Sequence, residues 1–170
     1  MRVLLAVVLP EPLQSTLRSL QAQHQLPPWT PAIPLHITLV EPFDTTSTIE
    51  DLSERLKRIP GHPFSIRLDG LGRFDNKESV IFAHVVPSSA LTALAQSART
   101  SLGELVGPPS RPYVPHMTLA DSTTRENVDE YFQRLQDESL NYAFPCDRFA
   151  LLRKDAAARS WGVIAEFLLV

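Results

Sequence analysis

Apolar positions recur along the chain with the spacing of strands and amphipathic helices. An apolar run at 3–9 is typical of a buried first strand, and Pro12 is suited to open a helix with Leu13, Leu17 and Leu20 on one stripe. The first half continues with a strand at 35–41, a helix opened by a capping box of Ser47 and Glu50, and a strand at 63–74 in which Gly70-Leu71-Gly72 indicates a bulge.

The second half repeats this order of elements. The pattern predicts a strand at 79–86, a helix from Ser88, a strand at 114–120, a helix opened by a capping box of Thr123 and Glu126, and strands near 143–153 and 161–169. The order β-α-β-α-β therefore occurs twice, before a final strand. We expect an α+β fold in one domain, with a duplicated module, mostly antiparallel sheets, and two pseudo-symmetric lobes from about 1–76 and 77–170 flanking a central cleft.

Length, charge and cysteine content indicate the number of domains, the kind of nucleic-acid contact and the cellular compartment. A length of 170 residues suits one domain. The net charge of −3 provides no global positive field, so we expect any nucleic-acid contact to be local, at an end or at a single nucleotide. The lone Cys146 excludes an internal disulfide and indicates a reducing compartment. The run at 3–9 lacks a signal-peptide cleavage site, and no stretch approaches the roughly 20 apolar residues of a membrane span. We expect a cytoplasmic monomer without membrane contact.

Two short segments share the pattern His-x-Thr-Leu. They are residues 36–39 and 116–119, each preceded by a proline-rich connection, at 27–34 and 108–115. Proline donates no hydrogen bond to a strand ladder, so these connections are predicted to be loops that lead into motif strands. The two motifs occupy matched points of the repeated element order, which indicates that they are related and did not arise by chance.

The spacing within each motif has a physical reason. On a strand, residues i and i+2 point to the same side, so His36 and Thr38 share one face while their apolar neighbours are buried. The same holds for His116 and Thr118. Two such strands related by a two-fold axis would place two imidazoles and two hydroxyls around one point.

Such a group of side chains suits phosphoryl transfer. A neutral imidazole can accept a proton from the attacking oxygen while an imidazolium protonates the leaving oxygen, and the usual histidine pKa of about 6.5 allows both states near neutral pH. Threonine hydroxyls can donate hydrogen bonds to phosphate oxygens. A zinc site at His36 and His116 is the alternative, but zinc needs three or four ligands and no Cys, Asp or Glu cluster accompanies the motifs. We therefore expect neither a metal nor a cofactor.

On these motifs the chain resembles the 2H phosphoesterases, the family of 2′-5′ RNA ligases and cyclic phosphodiesterases with two His-x-Thr motifs. The segments at 70–74, 80–86 and 161–169 and the helix from Ser88 also fit the family, whereas residues 36–43 lack the Phe-Leu-Gly ending of its RNA ligase branch. The resemblance implies a bilobal fold and metal-independent hydrolysis of 2′,3′-cyclic phosphates, or reversible 2′-5′ joining of RNA. It also implies that His116 is the base that positions water and His36 is the acid.

Other residues near the motifs are candidates for substrate contact. Phe43 and Tyr113 could stack on a base or simply pack within the lobes. Arg111 could reach a phosphate or be solvated, and His84, on a predicted strand, is interpreted as structural.

The expected activity is metal-independent 2′,3′-cyclic phosphodiesterase action on RNA termini or small nucleotide cyclic phosphates. The expected catalytic residues are His36, Thr38, His116 and Thr118. The alternatives are a reversible ATP-independent 2′-5′ RNA ligase and a non-catalytic protein that binds nucleotides or RNA ends.

Overall fold

A computed structural model describes residues 1–26, 33–74, 80–109, 111–121 and 125–170 of the chain. Eight strands and four helices form the described part. The strands are β1 (Arg2–Val8), β2 (His36–Asp44), β3 (Phe64–Arg73), β4 (Val80–Val85), β5 (His116–Asp121), β6 (Asn141–Cys146), β7 (Arg148–Asp155) and β8 (Ser160–Leu168). The helices are α1 (Leu13–Gln23), α2 (Ile49–Leu56), α3 (Ser89–Leu102) and α4 (Arg125–Leu135), and a short 3₁₀ turn spans Gly103–Leu105. Among them, no helix is long and apolar enough to cross a membrane.

The eight strands form one sheet in the order β6-β3-β4-β5-β2-β1-β7-β8, and every pairing is antiparallel. β2 and β5 meet at the centre through a single paired position, Ile37 opposite Met117. This narrow junction divides the sheet into the His36 half-sheet (β2, β1, β7 and β8) and the His116 half-sheet (β5, β4, β3 and β6). The α+β class and the antiparallel sheet are as the sequence predicts.

The half-sheets do not correspond to the two halves of the sequence, because each contains strands from both. β3 precedes position 76 but pairs with β4 and β6, whereas β7 pairs with β1 and β8. The single strand predicted near 143–153 is wrong, because it is two strands that belong to different half-sheets and are separated at Asp147. No glycine marks this break, and only the long-range pairings reveal it.

Local signals place the ends of several elements. The bulge predicted at Gly70-Leu71-Gly72 is confirmed, since the β3–β4 register shifts between Leu68 and Leu71 and Gly70 has a φ of 86°. The capping box of α2 lies one residue later than predicted: Thr48 caps the helix, and Asp51 completes the box. The other predicted box includes Thr123, which lies outside the described residues.

The two faces of the sheet carry different side chains. One face packs under the helices in a large apolar core that includes Val7, Ile37, Ala83 and Met117. On the opposite face of the His36 half-sheet lies a smaller apolar cluster of Leu4, Ala6, Ile33, Ala150, Leu152 and Trp161. The motif histidines and threonines point to this second face, because they alternate with the core residues of β2 and β5.

Candidate active site

The two motif strands bring four polar side chains together at the centre of the sheet. Ile37 pairs with Met117, and continuing this antiparallel register by one residue sets His36 opposite Thr118 and Thr38 opposite His116. Side chains directly opposite in an antiparallel pair share a face, with Cβ atoms about 4.5–5.5 Å apart. The two imidazoles therefore lie diagonally across one small area, with a hydroxyl beside each.

Both histidines have the same tautomer. Nδ1 of His36 lies 2.7 Å from the carbonyl oxygen of Pro34, and Nδ1 of His116 lies 2.9 Å from that of Val114. A carbonyl oxygen only accepts hydrogen bonds, so Nδ1 must carry the hydrogen in each ring. Nε2 is then the atom that gains or loses a proton in both motifs. This repeated backbone contact fixes the rings for acid–base chemistry.

The surroundings of His36 favour its neutral form. Only 8% of the residue is exposed, and burial lowers the pKa of its imidazole. The hydrogen bond to Pro34 opposes this effect, while His116 and Arg18 lower the pKa further by repulsion. A neutral imidazole accepts protons. The neutral form of His36 thus suits a general base, whereas the family resemblance implies the acid.

The surroundings of His116 are aromatic and more open. The ring of Phe74 meets the imidazole edge-on, with centroids 4.9 Å apart and an interplanar angle of 90°. Phe82, on the neighbouring strand β4, lies 5.3 Å from it between ring centroids. The guanidinium of Arg111 lies over Phe74, 5.9 Å from its centroid. Aromatic contacts of this kind hold the His116 ring in place while leaving it partly exposed.

A residue that the sequence interpretation missed, Arg18, lies beside His36. Arg18 and Gln21 of α1 line a small pocket together with Ile33, His36 and Thr118. The guanidinium donates hydrogen bonds to the carbonyl of Ile33 and to Oε1 of Gln21, at 3.0 Å for the latter. Arg18 follows a buried leucine on an amphipathic helix, and nothing in its local sequence distinguishes it from a solvated arginine.

The two aromatic candidates occupy different places. Phe43 is paired with Val3 and packs against the large apolar core, on the face of the sheet opposite to His36. The structure does not bring it to the histidines. Tyr113 also packs against the large core, and its hydroxyl donates a 3.0 Å hydrogen bond to the backbone carbonyl of Thr38. Burial raises the pKa of this phenol, so Tyr113 remains a hydrogen-bond donor that ties its loop to β2.

Gln21 makes a similar side-chain hydrogen bond to the other motif strand, β5. Its side-chain amide donates a 2.7 Å hydrogen bond to the carbonyl of Leu119. Each half-sheet therefore receives a side-chain hydrogen bond from the opposite half of the sequence, on either side of the Ile37–Met117 pair. Across the part of the chain that the structure describes, no three His, Cys, Asp or Glu residues are grouped to hold a metal ion.

Comparison with known proteins gives a consistent result. The sequence pattern of the 2′-5′ RNA ligase superfamily matches residues 9–158. A protein of Oceanobacillus iheyensis named putative phosphoesterase is 30% identical over 140 residues, covering 81% of each chain. A Bacillus pumilus protein with the same name is 28% identical over 142 residues, covering 81% of this chain and 80% of the relative.

Solved structures share the fold along the whole chain. Escherichia coli LigT complexed with 3′-AMP superposes with a TM-score of 0.75 at 22% identity, covering 99% of this chain and 98% of LigT. The protein TT0787 of Thermus thermophilus superposes with a TM-score of 0.73 at 25% identity and the same coverage. With its two His-x-Thr strands paired at the centre of this sheet, the chain belongs to the 2′-5′ RNA ligase superfamily of 2H phosphoesterases.

Proposed function

We propose that the chain is a metal-independent 2′,3′-cyclic phosphodiesterase that acts on RNA ends or small nucleotides and yields 2′-phosphates. The observation that carries this proposal is the central arrangement of His36, Thr38, His116 and Thr118 around one ladder pair, with both imidazoles protonated on Nδ1. One phosphate fits between two such imidazoles. The phosphoesterase names of the Oceanobacillus and Bacillus relatives support hydrolysis as the reaction.

The proposed reaction is an in-line displacement at phosphorus. His36 Nε2 takes a proton from water as the water oxygen forms its bond to phosphorus. The bond from phosphorus to the 3′ oxygen breaks, and that oxygen receives a proton from His116 Nε2. The product is a 2′-phosphate with a free 3′ hydroxyl, and solvent restores the two protonation states. Thr38 and Thr118 donate hydrogen bonds to the non-bridging oxygens, where negative charge concentrates.

Two features support this order of roles, which is the reverse of the one that the resemblance implies. Burial favours the neutral, proton-accepting form of His36. The small pocket beside His36, bounded by Gln21 and Thr118, is of a size that suits a water molecule, and these polar side chains offer it hydrogen bonds. The larger leaving group then occupies the more open side, next to His116.

The test is hydrolysis of nucleoside 2′,3′-cyclic phosphates in the presence of EDTA. We expect turnover by the wild type to persist with chelator, with the 2′-phosphate as product. His36→Ala and His116→Ala should each reduce kcat by about 10²–10⁴-fold, the usual contribution of general acid–base catalysis. His62→Ala is the matched control, because His62 is exposed and remote in sequence from both motifs. A wild type inactive on every cyclic phosphate, or histidine variants as active as the wild type, would exclude the proposal.

A second candidate is reversible, ATP-independent 2′-5′ RNA ligation, favoured by the match of residues 9–158 to the RNA ligase superfamily. Ligation uses the same site, with an RNA 5′ hydroxyl in place of water as the attacking group. RNA halves ending in a 2′,3′-cyclic phosphate and a 5′ hydroxyl are incubated with the protein, and products are resolved on a gel. A joined product containing a 2′-5′ linkage identifies the ligase. Binding of RNA ends without chemistry would identify a non-catalytic protein.

A further inference from the structure

The centre of the sheet is nearly symmetric, but the residues flanking the two histidines are not. On β1, the residue paired with His36 is Val8; on β4, the residue paired with His116 is His84. Val8 and His84 therefore occupy equivalent positions in the two half-sheets. Both lie on the same face as the motif side chains, because directly paired residues of antiparallel strands point to the same side.

His84 is positioned for contact with a ligand. It is exposed, while its neighbours Ala83 and Val85 are buried in the core. Its ring stands edge-on against Phe82, with centroids 5.1 Å apart and an interplanar angle of 84°. Within the described chain, the imidazole has neither a hydrogen bond nor an ion pair, so its N–H remains available to a ligand.

Gly72 provides the space that the His84 ring occupies. A Cβ at position 72 would lie 2.7 Å from Nε2 of His84 and 2.5 Å from the ring of Phe82. Both rings therefore lie directly over the backbone of β3. The charged residues on this face of β3, Arg67 and Asp69, form an ion pair at 2.8 Å, so they add no net charge near His84.

At the position equivalent to His84, the His36 half-sheet carries Val8, whose side chain has no donor; the guanidinium of Arg18, also beside His36, is already hydrogen-bonded to Ile33 and Gln21. Val8 packs against the small cluster that contains Ala6, Ile33 and Trp161, so the surroundings of this position are apolar. A substrate with a second polar group would thus be bound more strongly with that group on the His116 side. The arrangement determines which end of a nearly symmetric site receives the body of the substrate.

We propose that His84 binds a second phosphate of the substrate, one nucleotide away from the cyclic phosphate at the paired histidines. This inference rests on the proposed function and specifies its substrate class: a cyclic phosphate that carries a further phosphate, either as a 5′-phosphomonoester or as the next diester of an RNA end. His84 is a substrate-binding residue that discriminates cyclic phosphates carrying a second phosphate from those with a free 5′ hydroxyl.

The test compares three substrates: adenosine 2′,3′-cyclic phosphate with a free 5′ hydroxyl, the same compound with a 5′-phosphate, and a dinucleotide that ends in a 2′,3′-cyclic phosphate. Steady-state kinetics are measured for the wild type, His84→Val, which introduces the residue of the equivalent position, and His84→Gln, which retains an N–H donor. His62→Val, at an exposed site, is the matched control.

We expect the wild type to prefer at least one substrate with a second phosphate. His84→Val should lose about 10–100-fold in kcat/KM on that substrate, mainly through KM, since a hydrogen bond to a charged group is removed. It should lose less than about threefold on the 5′ hydroxyl compound, for which no such bond exists. His84→Gln should recover part of the preference, and His62→Val should retain all of it. The more strongly affected substrate shows whether the second phosphate is a monoester or a diester.

The alternatives give different results. Equal losses on all three substrates, or no loss on any, would overturn the role of His84 while leaving the phosphodiesterase proposal intact. A wild type that hydrolyses none of the three would overturn the proposed function and this inference together.

Discussion

His36 and His116 occupy equivalent places in the two half-sheets and make the same backbone hydrogen bond, yet their side-chain surroundings differ. His36 is buried beside Arg18 and Gln21, next to Val8. His116 is more exposed and is surrounded by aromatic rings, with His84 as its neighbour on β4.

The duplicated motif determines the tautomer of both histidines, whereas the residues around each motif determine how deeply its imidazole is buried. The repeated motif fixes the tautomer, because each Nδ1 donates to a carbonyl two residues earlier in the chain. The flanking residues determine burial, and burial lowers the pKa of His36 and so favours its neutral form. A nearly symmetric site can therefore assign different roles to two identical side chains.

The largest expected effect tests which histidine is the acid. An activated diester such as bis(p-nitrophenyl) phosphate has a leaving group that needs no protonation, so the general acid becomes dispensable while the general base does not. Relative to the wild type, His116→Ala should recover most of its loss of about 10²–10⁴-fold on this substrate, and His36→Ala should not. The release of nitrophenolate, followed by absorbance, measures both rates. Recovery by His36→Ala in place of His116→Ala would assign the acid role to His36.

A second prediction concerns the packing of the Phe82 and His84 rings against the backbone of Gly72. Gly72→Ala forces a Cβ into the rings of Phe82 and His84, and overpacking of this kind costs about 1–3 kcal/mol in the free energy of unfolding. Chemical denaturation measures the change. Gly162 on β8 is the matched control, because a Cβ there meets no atom within 4 Å, and Gly162→Ala should stay within about 0.5 kcal/mol of the wild type. Equal effects of the two substitutions would show that the rings move aside freely.

A third prediction compares the two side chains that link the half-sheets across their narrow junction. Gln21→Leu leaves the carbonyl of Leu119 without its partner in a buried setting, and we expect a loss of about 1–3 kcal/mol. Tyr113→Phe removes one hydroxyl from a partly buried site and should cost about 0.5–1.5 kcal/mol. Urea unfolding of both variants gives the comparison. A larger loss for Tyr113→Phe would indicate that the loop before β5 contributes more to the junction than α1 does.

The sequence allowed much of the site to be predicted, for a local reason. The two-residue period of a strand places His36 with Thr38 and His116 with Thr118, whatever the rest of the chain does. The contribution of Arg18 and the pairing of His84 with His116 depend on contacts between segments far apart in sequence, which no local pattern reveals. Phe43 follows a motif closely, but it lies an odd number of residues from His36. The two shifts in the β1–β2 register offset each other, so Phe43 lies on the core face, as the strand period alone would predict.

The smallest expected effect concerns the pH dependence of stability and returns to the burial of His36. Its pKa is lowered in the folded chain, so the unfolded chain takes up a proton at this residue first as the pH falls below about 6.5. Stability should therefore decrease in that range and level off only below the folded-state pKa. His36→Asn keeps a donor near the carbonyl of Pro34 but cannot titrate. Between about pH 8 and pH 5.5 the Tm of the wild type should therefore fall by more than the Tm of the variant. If Tm depends on pH in the same way for the wild type and His36→Asn, burial does not set the protonation of His36, and the physical support for its role as the base is lost.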